Sequence, residues 1–313
     1  MTHAPARPLL APWYRLVGDG ERLLLEHAQS LVVLEGAAVR TLLPSLLPLL
    51  DGTRCIDELA ERLGEAARPA IVAALELLSE RGLVVDGPDA AVRVREPAYA
   101  VAAAYGLAPA VAAERLGAAS VALVGRSACL AEVARLLCAA GVAEVRRSTW
   151  RRQGRADLTV VAPASDELDR LHAWNQFAFD RNMRWLLVRP YDGRFASVGP
   201  LVVPGQSCCY ECTLLRRGAN SGYADELADV EAAPVAAFAD AGFQALVAGI
   251  ASHVAVRWVA GWDKTLPGVL FTLEAQPALK LDEHHVLRVP RCEACSGIAR
   301  AAPKLPWHAV EAA

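Results

Sequence analysis

The chain has 313 residues, 54% hydrophobic and 21% charged, which excludes a disordered or collagen-like polypeptide. That length accommodates two domains of the usual ~100–200 residues, each able to bury a core. Thirty-two Lys and Arg against 35 Asp and Glu leave a net charge of −3, which argues against a protein that grips nucleic acid through a general basic surface.

The first residues, Met1 to Leu16, lack a basic region followed by an apolar one, so no signal peptide is expected. Tyr14–Val17 and Arg22–Leu25 read as short strands around the turn Gly18-Asp19-Gly20, and Ser30–Leu34 reads as a third. Residues 36–50 are apolar at mixed spacing, with Pro44 and Pro48 limiting any long helix. Ile56, Leu59, Ala60 and Leu63 share one face of an amphipathic helix. A second helix opens at Arg68-Pro69, carries Ile71, Leu75, Leu77 and Leu78, and is closed by Gly82 before a returning strand, Leu83–Val85. Three strands, three helices and a final strand within residues 1–90 make a winged-helix-like outline.

Asp86–Asp89 begins a joint, and Pro97–Leu116 is expected to form one Ala-rich helix. Beyond it, strands at 120–124, 143–146, 157–161 and 185–188 alternate with helices at 130–140 and 168–182. Such alternation implies an α/β fold with a largely parallel, helix-covered sheet. Residues 191–203 suit paired strands, 235–258 a long apolar helix, and 269–289 terminal strands. The most apolar stretch, 241–256, is 16 residues between Asp240 and Arg257, short of the ~20 needed to span a bilayer. A buried helix in a cytoplasmic protein is expected, with no membrane partner.

Eight cysteines in such a protein are not expected to form a disulfide framework. Cys209-Tyr-Glu-Cys212 and Cys292-Glu-Ala-Cys295 are two C-x-x-C pairs separated by 79 residues. Two intervening residues let both sulfurs of a pair turn toward one ion, and four thiolates describe a structural Zn²⁺ site. The redox alternative requires a C-x-x-C at a helix N-terminus in a thioredoxin-like unit, and that setting is missing. Cys208 is either an alternative to Cys209 as ligand or a free neighbour. Cys55, Cys129 and Cys138 have apolar neighbours and are expected in the core, while His172, His284 and His285 are read as surface residues.

Val121–Ala131 sits at a strand-to-helix turn, where a dinucleotide-binding fold places glycines so that the backbone can approach phosphates. Only Gly125 survives here. Position 127 is Ser, position 130 is Leu, and Arg147-Ser148-Thr149 replaces the acid expected to hold a ribose. The expectation is therefore a sheet with a degenerate nucleotide site around Gly125, Asp166 and Arg170, to which ATP does not bind. Asp166 and Arg170 lie at a strand end and helix start, and a solvated helix terminus explains them equally well.

Residues 97–300 resemble the ThiF/MoeB branch of the ubiquitin-activating-type enzymes. The resemblance is carried by the Gly125 turn, the strand Asp157–Val161, Asp166 and Arg170, the segment Gly199-Pro-Leu-Val-Val-Pro-Gly-Gln-Ser-Cys-Cys-Tyr-Glu-Cys212, the long helix, and Arg291–Gly297. It implies a Rossmann-type α/β domain over residues 91–313 with zinc held by Cys209, Cys212, Cys292 and Cys295. The eroded glycine loop is similar to that of the ThiF-like partners of YcaO cyclodehydratases, which serve the biosynthesis of thiazole- and oxazole-modified peptides. Residues 1–90 are then similar to a PqqD-like precursor-recognition domain. The implied function is a non-catalytic scaffold that binds a precursor's leader peptide by strand addition beside Leu31, Val32, Val33 and Leu34, with a groove lined by Ile71, Leu75 and Leu78. It would deliver that peptide to a YcaO cyclodehydratase, and it leaves a homodimer open. The alternatives are an active ATP-dependent adenylating enzyme acting on a peptide or sulfur-carrier C-terminus, and a zinc-stapled interaction protein of another peptide-modification pathway.

Overall fold

The computed structural model describes residues 4–18, 20–87, 96–151, 154–231, 233–234 and 238–296. The chain divides into two compact units, Met1–Gly117 and Ala118–Ala313, while the boundary expected near residue 90 lies outside the described residues.

The first unit opens with β1 (Pro8–Leu10), then β2 (Arg15–Gly18), β3 (Arg22–His27) and β4 (Ser30–Glu35). The last three form an antiparallel meander in the order β2-β3-β4, so β2 and β4 are both edge strands. Two short helices follow, α1 (Ala37–Thr41) and α2 (Leu43–Leu46), and Pro44 and Pro48 keep them short. The helix α3 (Ile56–Leu63) starts at Cys55, whose backbone N–H donates to the Glu58 carboxylate at 2.7 Å. The next helix, α4 (Arg68–Glu80), has Pro69 in its first turn, and Gly82 (φ +69°) turns the chain into β5 (Val84–Asp86). That strand pairs antiparallel with β1, which lay unseen in the sequence.

Ile71, Leu75 and Leu78 are fully buried, packed with Leu25, Leu46, Leu59 and Leu83. They recur at helical spacing because the core claims that stripe of α4, so they are core residues and do not line an open groove. The expected helix over 97–116 is two helices, α5 (Glu96–Tyr105) and α6 (Pro109–Ala118), broken at Gly106 (φ +61°) and restarted at Pro109.

The second unit is built on a seven-stranded sheet. Its elements are β6 (Ser120–Val124), α7 (Cys129–Ala139), β7 (Glu144–Arg147), β8 (Leu158–Val161), α8 (Arg170–Asp180) and β9 (Trp185–Arg189), then β10 (Phe195–Val202), α9 (Tyr210–Ser221), α10 (Ala224–Glu231), α11 (Ala241–Val256), β11 (Val269–Glu274) and β12 (Lys280–His285). The strand order is β12-β11-β10-β9-β8-β6-β7. The four strands β7-β6-β8-β9 run parallel, and β10, β11 and β12 extend the sheet antiparallel. The parallel strands β6, β8 and β9 are almost wholly apolar and buried, as strands covered on both faces must be. Trp185 and Leu187 pack with α8 around Trp174, while α11 packs on α7 and on β8, β9 and β10.

The apolar helix is longer than its 16-residue stretch implied, because a π-helical turn, Arg257–Gly261, continues α11 to 21 residues. Length alone thus does not set it apart from a membrane span, but half of its most apolar window is buried inside this unit. Gly199 (φ +113°) sits where the register of β10 against β9 shifts between Val198 and Leu201, and a Cβ there would come within 2.3 Å of the Val269 carbonyl oxygen of β11. Glycine at position 199 is therefore a requirement of the sheet.

The burial of Leu75 has a measurable consequence. Leu75→Ala is expected to cost about 2–5 kcal/mol of stability by leaving a cavity, read by denaturant unfolding. A loss well under about 1 kcal/mol would mean that this face of α4 is not core.

Candidate functional site

Three places in the two units carry the chemistry that the sequence singled out. One is a thiol cluster. Cys209 is the N-cap of α9 and Cys212 lies in its first turn, while Cys292 and Cys295 lie on the loop after β12. The four sulfurs lie within 4.8 Å of one another, with Cys209 to Cys212 at 3.8 Å, Cys209 to Cys292 at 3.6 Å and Cys212 to Cys295 at 3.4 Å. A tetrahedral ion with bonds of about 2.3 Å to sulfur places its ligands about 3.8 Å apart, so the cluster fits such an ion without rearrangement.

All four cysteines are buried. The Cys212 sulfur accepts hydrogen bonds from the Cys209 thiol and from the Val289 N–H, the latter at 3.3 Å, and together these hold its pKa below the ordinary thiol range against the opposing effect of burial. Cys209 is the donor of that pair, and its hydrogen bond to Cys212 together with burial raises its own pKa. Outside the sulfurs, Arg216 on α9 donates to the carbonyls of Leu287 and Arg288, at 2.8 and 3.2 Å. Arg288 in turn donates to the carbonyls of Gly205 and Cys295, at 3.0 and 2.8 Å. These bonds orient the loop that presents Cys292 and Cys295.

Cys208 is also buried but is not one of the four, and burial pushes its thiol up to about 12. Of the other cysteines, Cys129 is buried, Cys55 is half-buried at the start of α3, and Cys138 is exposed, contrary to expectation. Cys138 falls on the solvent side of α7, a helix whose Cys129, Leu130, Val133 and Leu137 face inward.

The second place is the turn after β6. Gly125 (φ +102°) packs so closely against the end of β8 that a Cβ would lie 2.1 Å from the Ala162 carbonyl oxygen. The Ser127 N–H donates to that same carbonyl at 3.1 Å, and Arg147 donates to the Gly125 carbonyl at 2.6 Å. The Arg126 N–H donates to Glu167 at 2.8 Å. Asp166 is exposed and pairs with Arg126 at 2.7 Å, and Arg170 approaches Glu167 at 3.5 Å. Glu167, which sequence reasoning passed over, is thus the centre of the group. Burial raises its pKa, but the donors on it, Ala164 and Trp150 foremost, outweigh that and hold it below the ordinary range. A cleft of about 240 Å³ lies at the ends of β6, β8 and β9, between Arg126, Arg189, Tyr191 and Phe243. This is where open α/β sheets hold their ligands.

The third place is β4, the free edge of the small sheet. Leu31 is 57% and Val33 44% exposed, Val32 is half-buried and Leu34 is buried. Val17, Leu24 and Val33 stand opposite one another on the outer face, so an apolar stripe crosses the sheet and ends at this edge. His172 is exposed and hydrogen-bonds Glu211 at 2.6 Å, and His284 and His285 are exposed on β12.

Replacing Cys212 or Cys295 by Ser is expected to remove a bound thiophilic metal and lower the melting temperature, whereas Cys208→Ser retains it. Elemental analysis of the purified variants decides, and a metal-free wild type would refute the tetrahedral site.

No family model matches this chain, and no curated protein matches it. Solved structures do. The heterocyclase TruD is similar with a TM-score of 0.73 at 24% identity, over 93% of this chain and 43% of that one. A heterocyclase in complex with substrate and cofactor gives 0.73 at 23%, over 92% and 39%. E. coli MccB with AMPCPP and MccA gives 0.61 at 15%, over 92% and 99%. This chain therefore spans about two fifths of the heterocyclases and nearly all of MccB. Over more than nine tenths of its length, it has the fold that these heterocyclases and MccB share.

Proposed function

We propose that this chain is a leader-binding scaffold in the making of azoline- or azole-containing peptides, working beside a YcaO-type cyclodehydratase in the cytoplasm. The observation that carries the scaffold reading is the state of the turn after β6. The first two amides beyond Gly125, which a nucleotide-binding turn would offer to phosphate, are taken by the Glu167 carboxylate and the Ala162 carbonyl.

The leader would add as a strand along β4, where main-chain hydrogen bonds give affinity and the apolar residues on both faces give selectivity. Residues 1–90 would then act as the PqqD-like recognition domain of winged-helix type. Holding the leader raises the effective concentration of the core peptide at the cyclodehydratase, which would carry out the ATP-dependent step. The heterocyclases of the same fold support this setting, since they contain a further part that this chain does not match. The four cysteines would hold zinc as a structural ion joining α9 to the loop after β12.

A second reading, an adenylating enzyme, is favoured by the likeness to MccB with AMPCPP. The two readings part on ATP. Calorimetry of the full chain with magnesium and ATP is expected to show no binding up to millimolar concentration. Micromolar binding would instead support adenylation. For the peptide site, Val33→Asp is expected to weaken binding of a precursor leader peptide at least ~10-fold, since one buried charge is worth more than the corresponding 1.4 kcal/mol. The melting temperature should stay near that of wild type, because Val33 is 44% exposed. Unchanged affinity in the titration would remove the β4 model.

A further inference from the structure

The Glu167 side chain is 2% exposed, and five donors converge on it. Oε2 accepts from the backbone N–H groups of Arg126 and Ala164, at 2.8 and 3.0 Å. Oε1 accepts from Arg126 Nε at 3.1 Å, from the Trp150 indole at 3.1 Å and from Arg170 at 3.5 Å. Asp166 engages a further nitrogen of Arg126 at 2.7 Å. The donors come from the β6–α7 turn, the β8–α8 turn, the segment after β7 and the start of α8. An ordinary exposed ion pair needs none of this, and a buried carboxylate survives only when its lone pairs are met in this way.

Two backbone N–H groups, two guanidinium groups and an indole N–H are also what a protein offers to a phosphate oxygen pair, and a carboxylate presents the same acceptors and the same sign of charge. The Arg126 N–H lies at the strand-to-helix turn where dinucleotide folds bind pyrophosphate. We propose that these groups form an oxyanion cradle whose resident ligand is the chain's own Glu167 carboxylate. It stands in for a ligand's phosphate, holds the two turns together, and shuts free phosphate out. The inference stands apart from leader binding and would survive the failure of the β4 model.

Thermal melting of the full chain in inorganic phosphate or in chloride at equal ionic strength tests it, on wild type, Glu167→Ala and Glu167→Gln. Wild type is expected to show no phosphate-dependent shift. Glu167→Ala should melt lower by more than ~5 °C and regain stability as phosphate rises, with the logarithmic dependence of a ligand bound to the native state. Glu167→Gln fills the space without the charge, so it should melt lower than wild type with no response to phosphate. A folded Glu167→Ala that ignores phosphate, or a wild type shifted as much by phosphate as Glu167→Ala, would overturn the proposal. Should Glu167→Ala not fold, Glu167→Gln decides: a wild-type melting temperature refutes the cradle, and a lowered one unrelieved by phosphate supports it.

Discussion

Four sulfurs, all buried, are packed within 4.8 Å of one another. Four thiolates at that distance repel, and four thiols would be poor hydrogen-bond partners, so the arrangement suits a cation at its centre. Much of the second unit hangs on this point. The cluster joins the start of α9 to the loop after β12, and so ties the helix that follows β10 to the strands that close the sheet's antiparallel side. Tyr210 and Arg217 of α9 also reach the buried Glu231, which Arg189 at the end of β9 engages as well. Loosening the cluster would therefore loosen the strand end that borders the cleft.

The cleft occupies the position in an open α/β sheet where a ligand is expected, yet its polar groups are largely committed within the chain. Arg126 is bound to Asp166 and Glu167, and Arg189 to Glu231. Such internal pairing keeps the turns ordered without a ligand. By contrast, among the described residues β4 and β2 leave backbone edges unpaired, and Val17 and Val33 of the apolar stripe are exposed. The proposed leader site therefore falls on the small sheet rather than on the cleft.

The two C-x-x-C pairs were legible because metal coordination imposes a spacing that few other demands produce. The same holds for Gly125, where one missing Cβ permits a close approach, and for the alternating strands and helices. Glu167 was not legible. It stands beside Asp166 in the sequence, and only the packing of Trp150 and Ala164 around it makes one acid buried and the other exposed. Ile71, Leu75 and Leu78 misled for a related reason, since an apolar stripe looks the same whether it faces a core or a peptide groove. The one Ala-rich helix became two because Gly106 takes a left-handed turn and Pro109 restarts the helix, and Cys138 turned outward because local composition does not say which face of a helix meets the sheet. The strand β1 is three residues long and gains its identity only from pairing with β5.

Hydrogen exchange of the full chain, followed by mass spectrometry with and without magnesium-ATP and a precursor leader peptide, tests the central claim most directly. The account predicts that the leader slows exchange along Ser30–Glu35 and that ATP changes nothing around residues 125–130. Protection of that turn by ATP, with β4 unaffected by the leader, would contradict it.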